Sequence, residues 1–302
     1  MKKKYPYIIA EIGGNHNGNM ELAKKMIKVA KECGADAVKF QLYRKRDLWT
    51  NDHLEELNQG LVKLENVSNW STKELGLKNI FEQIEAFSVQ EKEHIEYFDY
   101  ARKIGIQYST STFTKNDVDF CVDQKVAFLK VASCDLIEYV LSKEYPTLIS
   151  LGMASLSEIE QVVKLIPTKM RTKVTLLHCV SLYPPKDEFV NLHFMQTIRN
   201  TFGVNTGYSD HTLGFAIPLA AVTLGASVIE KHFTLDKNMP GWDHKVSANP
   251  EEMTVLCRES KRIVNSLGSG IKILSDEELE KRKKFRRSMA TSCRLEEGHM
   301  IQ

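Results

Sequence analysis

Three things are missing from this 302-residue sequence, and each removes a class of function. The first is an excess of charge. Its 41 lysines and arginines face 39 acids, a formal net charge of +2, so there is no global basic field to gather nucleic acid or an anionic membrane. Any anion site must therefore be local. The second is a patterned set of cysteines. Cys33, Cys121, Cys134, Cys179, Cys257 and Cys293 are scattered without a C-x-x-C pair or zinc-finger spacing, in a chain large enough to fold without staples. This predicts reduced thiols and a cytoplasmic protein. The third is a long apolar run. The start, MKKKYPYIIAEIGG, has only YIIA before Glu11, and FAIPLAAVTLGASVIE at 215–230 falls short of a membrane span and carries Pro218 and Gly225. A soluble protein is expected, with neither nucleic acid nor membrane among its partners.

What is present is a regular alternation. Short apolar or β-branched runs bounded by turn residues occur at 7–13, 37–41, 107–112, 128–133, 147–152, 175–180, 205–211 and 228–233. Amphipathic segments separate most of them. In 19–33, Leu22, Met26, Val29, Ala30 and Cys33 share a helical face that Gly34 can end. Ser155 with Glu158 forms a capping box, and Asn249 followed by Pro250 opens a helix that runs to Gly268. Strands alternating with helices imply parallel pairing, and eight such units close into an α/β TIM (β/α)₈ barrel, with an open doubly wound sheet as the competing architecture. The barrel is expected over 1–285 and a linker over 286–302. Residues 43–87, with helix-like pieces at 53–64 and 72–84, are too long for a loop and are read as an insertion over the barrel mouth between strands two and three.

In such barrels chemistry sits at the C-terminal strand ends, and there the polar residues of this chain collect. Lys39 and Lys130 lie in otherwise apolar strands, where an ammonium is expensive to bury unless an anion meets it. With Ser111, Ser133, Ser150 and Ser209 on the same rim they can cradle a phosphate and a carboxylate. The plainer alternative pairs each lysine with a barrel acid such as Glu11 or Asp135. His211 and His232 end adjacent strands, so their imidazoles can share one metal ion, with Asp210 and Glu230 as supporting acids. The alternative is a pair of hydrogen-bonded core histidines. His178, between apolar residues, reads as a packed histidine.

At these residues the sequence resembles the sialic acid synthase family. IIAEIGGNHNG, AVKFQ, KVAS followed by an acid, SLGM, LLHCVSLYP, GYSDHT and IEKHFT with PGWDHKVS stand in the family's order from Ile8 to about Arg287. The resemblance implies a barrel that joins phosphoenolpyruvate to N-acetylmannosamine or a related amino sugar, giving a nonulosonic acid and phosphate with the help of Mn²⁺ or Mg²⁺. It makes His211 and His232 the metal ligands, and Lys39, Ser111, Lys130, Ser133, Ser150 and Ser209 the phosphoenolpyruvate site. Gln41, Ser181, Tyr183 and Asp243 would face the sugar. Glu11 and Asp135 would stabilise the cation at carbon two and manage the protons of the water that adds there.

Asp135 and Ser181 stand where bacterial sialic acid synthases commonly carry Glu and Asn, compatible with relatives that use other sugars, including a 6-phosphorylated one. Trp242 replaces a small residue or proline in the PG-x-D loop. The family's barrel is followed by a small antifreeze-like domain that crosses to a partner subunit, and this sequence ends at RLEEGHMIQ, where that domain would begin. A homodimer, and a separate polypeptide carrying the antifreeze-like domain, are the protein partners the resemblance allows. Two rivals stand beside the synthase: a metal-independent Schiff-base aldolase with Lys39 or Lys130 as nucleophile, and a non-catalytic sugar-binding barrel.

Overall fold

The computed structural model describes residues 5–42, 87–131, 136–241 and 243–300. Eight strands, β1 (Tyr7–Gly13), β2 (Ala37–Gln41), β3 (Gln107–Thr112), β4 (Leu129–Val131), β5 (Thr147–Ser150), β6 (Val174–His178), β7 (Asn205–Asp210) and β8 (Val228–His232), pair in parallel in chain order. β1 meets β8 and closes the barrel. The fold is thus the TIM barrel that the alternation predicts, and the open sheet is excluded. The insertion read at 43–87 lies, but for Phe87, outside the described residues. The chain divides into two compact units, Met1–Ser266 and Leu267–Gln302. The second contains the exposed helix Asp276–Phe285, which Ser275 caps by accepting from the Glu278 N–H.

The helices form where their caps and apolar stripes direct. Asn19 caps α1 (Met20–Glu32) by accepting from the Leu22 N–H, and the buried stripe is Ala23, Met26, Ile27 and Ala30. That stripe is turned slightly from the predicted one, because Leu22 and Val29 flank the contact and do not centre it. The Ser155–Glu158 capping box is present, and Asn249 Oδ1 accepts from the Glu252 N–H at 2.9 Å to open the helix Pro250–Leu267. Among the described residues no helix is long and apolar enough to cross a membrane.

Strand alternation sends Ile8, Ala10 and Ile12 outward into the main core and Ile9 and Glu11 inward. The inward residues Ile9, Ala37, Phe128, Leu148, Leu177 and Val228 form a separate apolar cluster that plugs the barrel. Gly207 belongs to this layer. A Cβ there would lie 2.7 Å from Leu177 Cδ2 and 2.6 Å from the Val228 carbonyl, so the plug leaves no room for a side chain. Two positions beyond each plug residue the chain places Glu11, Lys39, Lys130, Ser150, Cys179 and Glu230, and all six line the cleft above it. A period of two therefore stacks the polar floor of the site directly on the hydrophobic plug.

Candidate active site

The cleft encloses about 180 Å³ at the C-terminal strand ends. Its floor is a network of four buried charges. Lys39 Nζ stands 2.7 Å from Glu11 Oε2 and donates to Ser111 Oγ at 2.8 Å. Lys130 Nζ donates to Glu230 Oε1 at 3.2 Å, an oxygen that also accepts from Ser209 Oγ at 3.0 Å. Glu230 Oε2 lies 3.9 Å from Lys39, which links the two pairs. Pairing of the lysines with barrel acids, the plainer expectation, therefore holds. It leaves the serine hydroxyls and both ammonium groups facing the cleft, as an anion cradle requires.

Glu230, expected only as a supporting acid, is the hub of the network. The readable signal is an acid two positions before His232 in a strand whose odd-numbered neighbours pack outward. Asp210, expected to support the histidines from the cleft, instead faces the opposite side of the sheet and pairs with Lys231 at 2.7 Å. Strand alternation is the reason: Ser209 and His211 point inward, so Asp210 cannot.

Electrostatics separate the two carboxylates. Burial pushes Glu11 up to about 7 against the pull of Lys39. Burial acts on Glu230 in the same direction, but Lys130 and Lys39 outweigh it and hold this carboxyl below its ordinary range. Burial by itself would also lower Lys130, but Glu230 and Glu11 reverse that and keep its amine protonated.

Above the floor, the ring centroids of His211 and His232 stand 5.5 Å apart, and Tyr183 stacks on His211 at 4.0 Å and lies T-shaped to His232 with the centroids 5.8 Å apart. His211 Nδ1 donates to the Val180 carbonyl at 2.7 Å, which fixes the tautomer and leaves Nε2 with its lone pair. Burial holds both imidazoles below the ordinary histidine range, and therefore neutral. His232 Nδ1 is buried with no hydrogen-bond partner among the described residues; Asp243 Oδ2 stands at 3.6 Å, beyond a hydrogen bond. Burial raises the Asp243 carboxyl to about 6. Two neutral imidazoles with available nitrogens fit a divalent ion whose other positions go to water and substrate oxygens. Among the described residues no group of three His, Cys, Asp or Glu side chains is gathered as a metal site.

Of the residues expected at the sugar, Ser181 and Tyr183 line the cleft and Gln41 Nε2 donates to Glu11 Oε1 at 3.2 Å, bracing the carboxylate. Ser133, Asp135 and Trp242 lie outside the described residues. Phe113, Gly152, Met153 and Cys179 line the cleft without having been predicted. The segments after β3 and β5 bring Phe113, Gly152 and Met153 there, and Cys179 follows β6 two positions beyond the inward Leu177. Asn15 ties the first loop to the last by donating to the Phe233 carbonyl at 2.9 Å and to Ser247 Oγ at 2.8 Å. His178 is the packed histidine expected, with Nε2 2.7 Å from the Val190 carbonyl.

Comparison with known proteins bears on this arrangement. The NeuB family model matches residues 26–272. The N,N'-diacetyllegionaminic acid synthase of Legionella pneumophila is 38% identical over 98% of this chain and 82% of its own length. That of Campylobacter jejuni is 35% identical over 99% and 88%. The crystal structure of N-acetylneuraminic acid (sialic acid) synthetase from Leptospira borgpetersenii superposes with a TM-score of 0.76 at 32% identity, covering 94% of this chain and 93% of that one. The TIM-barrel chain described here belongs to the NeuB family.

Proposed function

We propose that this chain condenses phosphoenolpyruvate with an N-acetylated amino sugar, N-acetylmannosamine or a relative, and water to give a nonulosonic acid and phosphate, in the cytoplasm. The observation that carries this is the layered site: two ammonium groups and three serine hydroxyls beneath a pair of neutral imidazoles. Lys39 and Lys130 with Ser111, Ser150 and Ser209 bind the phosphate and carboxylate of phosphoenolpyruvate, and Ser133 is the further hydroxyl in this role. Gln41, Ser181, Tyr183 and Asp243 face the sugar. His211 and His232 would hold a divalent ion, Mn²⁺ or Mg²⁺, which when bound would supply Lewis-acid polarisation of the open-chain sugar's aldehyde.

Carbon three of phosphoenolpyruvate then bonds to the aldehyde carbon, whose oxygen becomes a hydroxyl, and carbon two becomes electron-poor. Glu11, poised near neutrality and braced by Gln41, stabilises that centre and exchanges a proton with the water adding to it, a duty shared with Asp135. Cleavage of the carbon–oxygen bond expels phosphate and leaves a ketone at carbon two. A Schiff-base aldolase needs an unprotonated lysine, and Lys130 is held protonated by Glu230.

The test is phosphate release from phosphoenolpyruvate across a panel of mono- and di-N-acetylated sugars, run with chelator and after return of Mn²⁺. Sugar-dependent, chelator-sensitive release is expected. Carbon–carbon bond formation without phosphate release would overturn the assignment.

A further inference from the structure

The two histidines sit at the ends of adjacent strands, yet the sheet holds only one of them. His232 closes β8 and is pinned by its neighbours: its carbonyl accepts from the Ala248 N–H at 2.7 Å, and the Phe233 N–H donates to the Glu11 carbonyl at 2.7 Å. β7 ends at Asp210, so His211 lies beyond the last ladder pair, which is Asp210 with Lys231. The backbone around His211 is secured from the opposite side of the sheet.

There the side chains of Asp210 and Lys231, both 0% exposed, stand 2.7 Å apart. Lys231 also donates to the Thr212 carbonyl. Asp210 Oδ1 accepts from the Thr212 N–H at 3.0 Å and from its hydroxyl at 2.8 Å. The pair therefore engages the N–H, carbonyl and hydroxyl of Thr212, and His211 is clamped between two fixed residues. Lys231 immediately precedes His232, so one contact ties both histidine backbones together. A buried ion pair is not a stabilising device by default, since replacing both partners with apolar groups is often neutral for stability. What this pair supplies is geometry.

We propose that Asp210 and Lys231 are positioning residues that set the spacing of His211 and His232 for a divalent cation, an inference that rests on the assignment of those histidines as metal ligands. The experiment titrates the full chain with Mn²⁺ alone by calorimetry and records thermal melts in parallel. In the paired variant Asp210→Leu with Lys231→Met, cooperative melting is expected to persist within a few degrees of wild type, while Mn²⁺ affinity falls roughly 10- to 100-fold. His211→Ala with His232→Ala is the control and should lose Mn²⁺ binding. If the paired variant fails to melt cooperatively, Asp210→Asn, which keeps the size and removes the charge, is measured on the same criteria. Wild-type Mn²⁺ affinity in a folded positioning variant would overturn the inference alone. A wild type that binds no Mn²⁺, or a control that still binds it, would overturn the ligand assignment and the inference together.

Discussion

Two buried ion-pair systems lie back to back across β7 and β8, and they are finished differently. Behind the sheet, Asp210 and Lys231 are sealed from solvent, and Thr212 completes their hydrogen bonding. In front of it, Glu11, Lys39, Lys130 and Glu230 balance in charge but not in hydrogen bonds. Glu230 Oε2, 3.9 Å from Lys39 Nζ, has no hydrogen-bond partner among the described residues. A saturated pair can only hold a shape, whereas an unsaturated one beside a cleft has capacity left for a ligand. The sequence treats the two alike, as charges embedded in apolar strands. The face of the strand is what separates scaffold from site.

The largest expected effect breaks the sealed pair. Lys231→Met alone strands a buried carboxylate and should lower stability by about 3 to 5 kcal/mol in urea unfolding. Lys39→Met should cost only about 1 to 3 kcal/mol, because Glu11, already raised to about 7, takes up a proton once the pull of Lys39 is gone. Equal losses would erase the distinction between the two systems. A smaller effect sharpens it from the other side. Lys130→Met removes a charge-assisted bond to the anion, about 1.5 to 3 kcal/mol, so the KM for phosphoenolpyruvate should rise one to two decades while the KM for the sugar stays within a few-fold. Parallel rises in both would place Lys130 outside the phosphate pocket.

The barrel was legible because period-two strands and capped helices alternate, and each cap named from sequence is present. The lysines, the cleft serines and the histidine pair were legible because polar residues at strand ends in a barrel converge on one rim. Glu230, two positions before His232, and Asp210, adjoining His211, were weighted alike, whereas strand alternation turns the first into the cleft and the second to the opposite face. Phe113 and Met153 carry no chemical signature and lie beyond the ends of β3 and β5, where strand alternation no longer assigns a face.

The smallest effect concerns Glu11. Its folded-state pKa, about 7, lies above the ordinary 4.5, so the native protein binds this proton more tightly than the unfolded chain does. Its contribution to stability is then fully present below about pH 4.5 and is lost as pH rises through 7. Total stability will not display this cleanly. Burial lowers His16, His94 and His244 to about 4, and such groups favour the unfolded chain as pH falls, a slope of opposite sign over a neighbouring range. Subtraction removes them. In Glu11→Gln the neutral side chain stands in for the protonated carboxyl, and the histidines cancel between the two proteins. Wild-type stability minus that of Glu11→Gln should fall between roughly pH 5 and 7 and level off above. The slope is at most about 1.4 kcal/mol per pH unit for a whole proton, and less here because Lys39 and Glu230 share the titration. A difference that stays flat, or rises with pH, would mean that Lys39 outweighs burial and keeps Glu11 ionised throughout. In that case Glu11 would sit in the site as a fixed charge and not as a group that exchanges a proton with water.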